Sequence, residues 1–429
     1  MIKNHEYRNL FKVKAETGML SEMRHIKLGI WLFVVIIAIA VNAAHHSAAT
    51  AAPAATNAVA SGEVIVCFRD GVSAAAQDML VIRHGGVVLE REPVLNCVLV
   101  RANRNFLKSM IREPSVSFVE PNLVVHALYT PNDPLYSDQW GITSIKADRA
   151  WDVQKGDKSV KIAIIDSGID YNHEDLRDNY DDSGYDWVNN DDDPMDDNGH
   201  GTHCAGIASA VMDNGLGIAG VSQVKIMAEK VLNRWGIGST WNVVRGIVHA
   251  VQSDAKIISM SLGSHTPSKT LRKACLYAWK EGCILVAAAG NDGRRGICYP
   301  AKFRTVICVG AIDEKNKRCS FSNYGAQMEL VAPGEHILST YPDDKYVYMS
   351  GTSMATPFVA GVAALVWSQN ASLRNQDVRK ILARTADDLG NAGWDIEYGF
   401  GRVDADEALA TACTSSVSQT QQPLAASAR

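Results

Sequence analysis

The chain has 429 residues, room for one large domain and a smaller one. With 47 acidic against 42 basic residues and a formal net charge of −5, it gives no support for nucleic-acid binding. Its nine cysteines show no CxxC spacing, which speaks against a zinc ribbon, and their odd number leaves at least one outside any intramolecular pair.

Residues 28–41 are uncharged and strongly apolar, preceded by Arg24 and Lys27 and followed by alanine-rich sequence. This is the pattern of an export signal, with small-residue cleavage options near 43–51. The apolar run is shorter than the roughly 18 to 20 residues of a spanning helix. Residues 1–44 are therefore read as a signal peptide, with an uncleaved anchor as the alternative, and the chain is expected to be secreted. Membrane association is expected only if this segment stays uncleaved. Residues 45–61, rich in Ala, Thr, Ser and Pro, read as a linker.

Residues 62–127 have a rhythm of their own. Strand patterns at 63–68, 87–90, 95–101 and 115–119 alternate with helical patterns at 73–84 and 105–113. The order β-α-β-β-α-β predicts a small α+β, ferredoxin-like unit, and it contains no candidate nucleophile–base pair.

From 128 to 412 near-continuous apolar runs at 160–165, 224–231, 255–260, 283–289 and 306–311 alternate with helical segments. The helices are expected near 201–212, 239–252, 267–281, 353–368 and 374–385. Apolar strands separated by helices predict an α/β fold, a mostly parallel sheet flanked by helices on both faces. The polar end, 413–429, is expected to be disordered. Cys283 and Cys308 lie inside apolar runs and read as buried free thiols.

Three stretches carry chemistry. Ser353 stands in Ser350-Gly351-Thr352-Ser353-Met354-Ala355-Thr356-Pro357, at the start of an apolar helix whose N-terminus favours developing negative charge. A serine hydroxyl needs a base. His200 lies in a glycine-flanked turn, Gly199-His200-Gly201-Thr202-His203, and Asp166 ends the apolar run 160–165 at the carboxyl edge of a strand. A carboxylate can orient an imidazole that activates the serine, and Asp, His, Ser is the chain order of one known arrangement. His203 and Asp170 are nearby competitors; alone, Ser353 could be a helix cap and Asn291, in Gly-Asn-Asp-Gly, a turn residue.

IIDSGID, HGTHCAG and SGTSMATP resemble the three catalytic motifs of the subtilisin superfamily, and the likeness over roughly 130–410 is to thermitase-like members. It implies a serine endopeptidase that hydrolyses peptide bonds through an acyl-enzyme, with Asp166, His200 and Ser353 as triad and Asn291 as oxyanion donor. Residues 62–127 resemble the family's propeptide, which implies an autoprocessed zymogen, an intramolecular inhibitor and self-cleavage near 127–130. A permanent N-terminal domain is the alternative. The resemblance makes Gly236-Ile237-Gly238 and Ser261-Leu262-Gly263 edges that clamp an extended polypeptide. Leu232, Val243 and Ala288 would be pocket walls favouring apolar side chains within a broad specificity. It also implies structural calcium, held by Asp133, Asp175 and Asn214, with a second loop of Asp186, Asp191, Asp193 and Asp196. Cys298, near the base of the first pocket, and Phe358, where the family has histidine, depart from the pattern. A monomer is expected. A catalytically dead binding protein on the same fold, and a membrane-anchored processing protease, are the competing readings.

Overall fold

The computed structural model describes residues 59–103, 105–123 and 129–414. The export segment, nearly all of the linker, half of the self-cleavage stretch and residues 415–429 lie outside them.

The N-terminal unit runs β1 (Val59–Phe68), α1 (Ala74–Arg83), β2 (Val87–Glu92), β3 (Cys97–Arg101), α2 (Phe106–Met110) and β4 (Val116–Leu123). Its antiparallel sheet has the order β2-β3-β1-β4, as the β-α-β-β-α-β reading requires. Val64, Val66 and Phe68 alternate along β1 onto one face, where they meet Val98, Val100, Val81, Phe106 and Met110. Gly86 makes the turn into β2 possible, because a Cβ there would lie 2.6 Å from both Phe106 and Val100. Cys67 pairs with Cys97 across β1 and β3 in a disulfide. Of the other seven cysteines, Cys283 and Cys308 among them, six are buried free thiols and Cys413 is exposed.

The larger part is a seven-stranded parallel sheet in the order β11-β10-β9-β8-β5-β7-β6. The strands are β5 (Lys161–Asp166), β6 (Tyr180–Asp186), β7 (Lys225–Lys230), β8 (Ile257–Met260), β9 (Ile284–Ala288), β10 (Ile307–Ile312) and β11 (Leu330–Pro333). Five are the expected apolar runs. β6 and β11 went unread: β6 is an acidic edge strand with a register shift, and β11 has only four residues.

Alternation along the strands builds two cores. Ile162, Ile164, Ile226, Ile257 and Val286 point to one face; Ala163, Ile165, Met227, Ile258 and Leu285 point to the other. On the first face pack α5 (His200–Ser209), α8 (Thr352–Gln369), α9 (Asn375–Thr385) and α10 (Ala405–Thr414). On the second pack α6 (Thr240–Gln252) and α7 (Lys269–Lys280). The short helices α3 (Trp140–Ser144) and α4 (Ala147–Ala150) lead into β5. α8 is apolar all round and buried along almost its whole length, so it is the pillar of the first core. α10 continues through Thr414, two residues past the expected end of the domain at 412.

Pro357 is the sixth residue of α8. Lacking an N–H, it cannot bond the carbonyl of Ser353 four residues earlier. That carbonyl accepts instead from Ser261 Oγ at 2.7 Å and Cys204 Sγ at 3.5 Å. Phe358 is buried against α3, where a Cβ on Gly141 would lie 2.5 Å from its ring.

Candidate active site

Because the strands are parallel, their carboxyl ends share one edge, and the predicted residues gather there. Asp166 is the last residue of β5; Ser261 follows β8; Asn291 stands three residues beyond β9. α5 and α8 enter the same edge with His200 and Ser353 in their first turns.

His200 Nδ1 lies 2.7 Å from Asp166 Oδ1, which also accepts from the Ser167 N–H at 2.8 Å. Asp166 is fully buried and its Oδ2 has no partner among the described residues. Burial pushes the proton affinity of His200 down, and the Asp166 charge and hydrogen bond pull it up further, so it is raised above 6.5. His203, one turn on, is neutral: burial drives it down to about 4, and its Nε2 faces the carbonyls of Ile337 and Val347 at 3.1 and 3.0 Å. It is a brace between α5 and the hairpin of β12 (Ile337–Tyr341) and β13 (Lys345–Met349). Asp170 caps turns, accepting from the N–H groups of Asn172 and Asp343.

The entry of α5 is held by close approach. Gly199 sits at φ +101° with the Tyr341 ring where a Cβ would be, and a Cβ on Gly201 would lie 2.1 Å from the Gly168 carbonyl oxygen. Asp196 anchors the turn: it accepts from the N–H groups of Asn198, Gly199 and Thr202 and from the hydroxyls of Ser167 and Thr202. Both of its oxygens are occupied, so the cation-ligand reading of Asp196 gives way to a cap. Lys230, buried at the end of β7 opposite Asp166, donates to the Ser167 carbonyl at 2.6 Å and pairs with Asp197. The sequence reading missed it.

Ser353 Oγ donates to the Ser261 carbonyl at 3.2 Å in this conformation rather than to the imidazole. Asn291 Oδ1 accepts from the backbone N–H and hydroxyl of Thr352, at 2.9 and 2.8 Å. This aims the amide nitrogen of Asn291 at Gly351, where a Cβ would meet it at 3.4 Å and the Ser353 nitrogen at 3.6 Å. Two nitrogens that carry N–H groups thus lie on the same side of Gly351.

A cleft of about 540 Å³ opens beside His200. Leu232, Gly236 and Gly238 contribute one wall segment, Ser261, Leu262 and Gly263 another, and Val243, Leu271, Tyr299 and Met349 also line it. Ala288 is buried at the end of β9 and is not among the cleft's lining residues. The reading also missed Trp235 and Trp241, 66% and 60% exposed beside that first wall.

Asp133, Asp175 and Asn214 come together from three loops: Asn214 Nδ2 donates to Asp175 Oδ1 at 2.8 Å, and the Asp213 N–H beside it donates to Asp133 Oδ2 at 3.0 Å. Asp133 Oδ1 is buried and has no partner among the described residues. Burial raises the carboxyl of Asp175 to about 7, and Asp133 is also raised. Two buried, mutually repelling carboxylates with an orphaned oxygen fit a hard cation. In the acidic loop, Asp186 accepts from its own turn, the N–H groups of Val188 and Asn189, while Asp191 and Asp193 accept from the Asp193 N–H and from Tyr171.

Among the described residues no helix is long and apolar enough to cross a membrane. Residues 157–401 match the profile of the Subtilase family, and 46–122 match that of the fervidolysin N-terminal prodomain, so the prodomain match includes most of the stretch read as linker. The chain is 42% identical over 348 residues to the thermophilic serine proteinase of Bacillus sp. strain AK1, covering 80% of this chain and 86% of that one. It is 45% identical over 283 residues to thermitase of Thermoactinomyces vulgaris, covering 66% of this chain and 99% of that one. It is 39% identical over 297 residues to the M-protease of Shouchella clausii, covering 69% and 74%. With a parallel sheet that brings the three motifs to one edge and matches that span most of the chain, this protein belongs to the subtilase family of serine proteases and carries a prodomain ahead of its protease domain.

Proposed function

We propose that this chain is an exported, autoprocessed serine endopeptidase in which Ser353 attacks the scissile carbonyl and His200 takes its proton. The observation that carries this reading is the 2.7 Å contact of His200 Nδ1 with a fully buried Asp166. With Nδ1–H committed to the carboxylate, the lone pair stands on Nε2, the tautomer a general base requires. Substrate binding turns the Ser353 hydroxyl from the Ser261 carbonyl to that nitrogen. The oxyanion that forms is held by the Asn291 amide and the Ser353 N–H, and His200 returns the proton to the leaving amine. Water then repeats the cycle on the acyl-enzyme.

The polypeptide adds as a strand between the walls at 232–238 and 261–263. Leu232, Ile237, Val243, Leu262 and Met349 give the cleft an apolar lining, which supports a broad preference for apolar side chains. Residues 62–127 act as intramolecular inhibitor until cleavage near 127–130. Asp133, Asp175 and Asn214 would hold a structural calcium ion, which relieves carboxylate repulsion and takes no part in the chemistry. Asp186, Asp191 and Asp193 are the second calcium candidate; the support there is the density of acidic side chains alone. The mature enzyme is a monomer. Secretion is supported by the relative from Natrialba magadii, described as an extracellular serine protease, and by the signal pattern at 28–41.

An active-site fluorophosphonate probe tests the proposal: it labels the processed protein and fails to label Ser353→Ala. Equal labelling of both sinks the assignment.

A further inference from the structure

We propose that Cys298, His265 and Asp292 form a binding site for a divalent cation of the zinc class, set against the outer side of the substrate cleft. One ligand atom from each of the three lies within 4.8 Å of the others. Cys298 Sγ and His265 Nδ1 are 3.5 Å apart. A thiolate and an imidazole bound to one zinc at 2.3 and 2.0 Å and a tetrahedral angle stand about 3.5 Å from each other, so that edge is already set. Asp292 Oδ2 lies 3.1 Å from Nε2, the other ring nitrogen, so the third position closes when the exposed carboxylate turns toward the sulfur side of the ring. Three protein ligands leave the fourth to water.

The surroundings look built for the thiol. Gly290 makes room for it, since a Cβ there would lie 2.6 Å from Cys298 Sγ. Asn323 donates to Asp292 at 2.9 Å and reaches Cys298 Sγ at 3.8 Å, an outer support of the kind that orients metal ligands. Cys298 is 6% exposed while His265 and Asp292 face solvent, so an ion enters from outside and meets the sulfur last. Arg294, 3.2 Å from His265 Nε2 and 3.9 Å from Asp292 Oδ2, is 61% exposed, so an entering cation displaces it into solvent. A thiolate and an imidazole select zinc-class ions over calcium, which separates this cluster from the carboxylate sites.

The place matters for the peptidase. His265 follows Ser264 and Cys298 precedes Tyr299, and Ser264 and Tyr299 both line the cleft and exchange two backbone hydrogen bonds of 2.8 Å. Asp292 follows Asn291. An ion at this point ties the three segments around the catalytic serine to one another.

Cobalt(II) titration of the full chain carrying Ser353→Ala is the test, read by the thiolate-to-cobalt charge-transfer absorbance. One equivalent of band is expected, lost in Cys298→Ser, kept in Cys204→Ser, and weakened in His265→Gln by more than the roughly 10- to 100-fold that loss of an outer support costs. His265 is half exposed, so that variant keeps the fold whatever Cys298→Ser does. A chain without the band, a band that survives Cys298→Ser, or His265→Gln binding as tightly as the parent overturns the site.

Discussion

Asp175 is the position where the calcium reading makes its most quantitative demand. Its carboxyl is fully buried, and without a cation burial raises it from 3.8 to about 7. The sign follows from linkage. A carboxyl raised in the folded state binds its proton more tightly there, so it costs nothing below the unfolded value and destabilises the fold once pH exceeds it. The cost grows between about pH 4 and pH 7 and then levels off. Its size is about 1.4 kcal/mol for each unit of displacement, or about 4 kcal/mol for this group. Asp175→Asn removes that charge and turns into a donor one of the two oxygens that accept from Asn214, Ile218 and Tyr346, a loss of about 1 to 3 kcal/mol that does not vary with pH. Urea unfolding of parent and variant, both carrying Ser353→Ala to prevent self-digestion, is measured from pH 4 to pH 8. In chelator the difference curve should climb in the variant's favour by about 4 kcal/mol across that window. In saturating calcium it should reverse, because the parent alone keeps its ligand. A difference curve that stays flat in chelator would refute the argument, since the buried charge would then be solvated in some other way.

Four further outcomes follow from the site and its supports. Asn291→Ala should lower kcat by about 100- to 1,000-fold with KM nearly unchanged, the range known for a single oxyanion donor in subtilisin itself; a loss below tenfold removes Asn291 from that role. Because His200 is raised above 6.5, kcat/KM should rise with pH through an inflection above that value, and Asp166→Asn should move the inflection down; an unmoved inflection counts against the pair. Replacing both Cys67 and Cys97 by serine opens a bridge between positions 30 residues apart and should lower the prodomain's unfolding free energy by about 3 to 4 kcal/mol, checked by urea unfolding of the Ser353→Ala chain. Gly201→Ala forces a Cβ to 2.1 Å from a backbone oxygen that cannot yield, so stability should drop by about 1 to 3 kcal/mol and activity with it; a variant with the parent's thermal midpoint contradicts that packing.

What the sequence made legible was whatever announces itself by period or by local chemistry. Five parallel strands are near-continuous apolar runs, and each became a strand because both of its faces are covered. β6 was hidden by its acidic residues, which suit an edge strand but mimic a loop. The β12–β13 hairpin was hidden by its turn: Asp343 and Asp344 both take positive φ, a conformation that asparagine or glycine would have advertised. That omission reached the site, because the hairpin supplies the Tyr341 ring over Gly199 and both carbonyls that hold His203. Asp196 shows the limit from the other side. As a letter among acidic neighbours it reads as a cation ligand; only the fold reveals five donors converging on it.

Pro357 is where local and distant information meet. Read alone, a proline a few residues into a helix is tolerated near the N-terminus. In place, it frees the carbonyl of the nucleophile's own residue, and the fold spends that acceptor on Ser261 Oγ. Ser261 in turn offers its carbonyl to Ser353 Oγ, so one residue at the end of β8 contacts the serine through both its backbone and its side chain. The 261–263 segment and Ser353 are therefore tied directly to each other. On the proposed function, a peptide that adds to 261–263 as a strand would pull on the very group that holds the resting hydroxyl, and this coupling would give Ser353 a physical reason to leave Ser261 when substrate arrives.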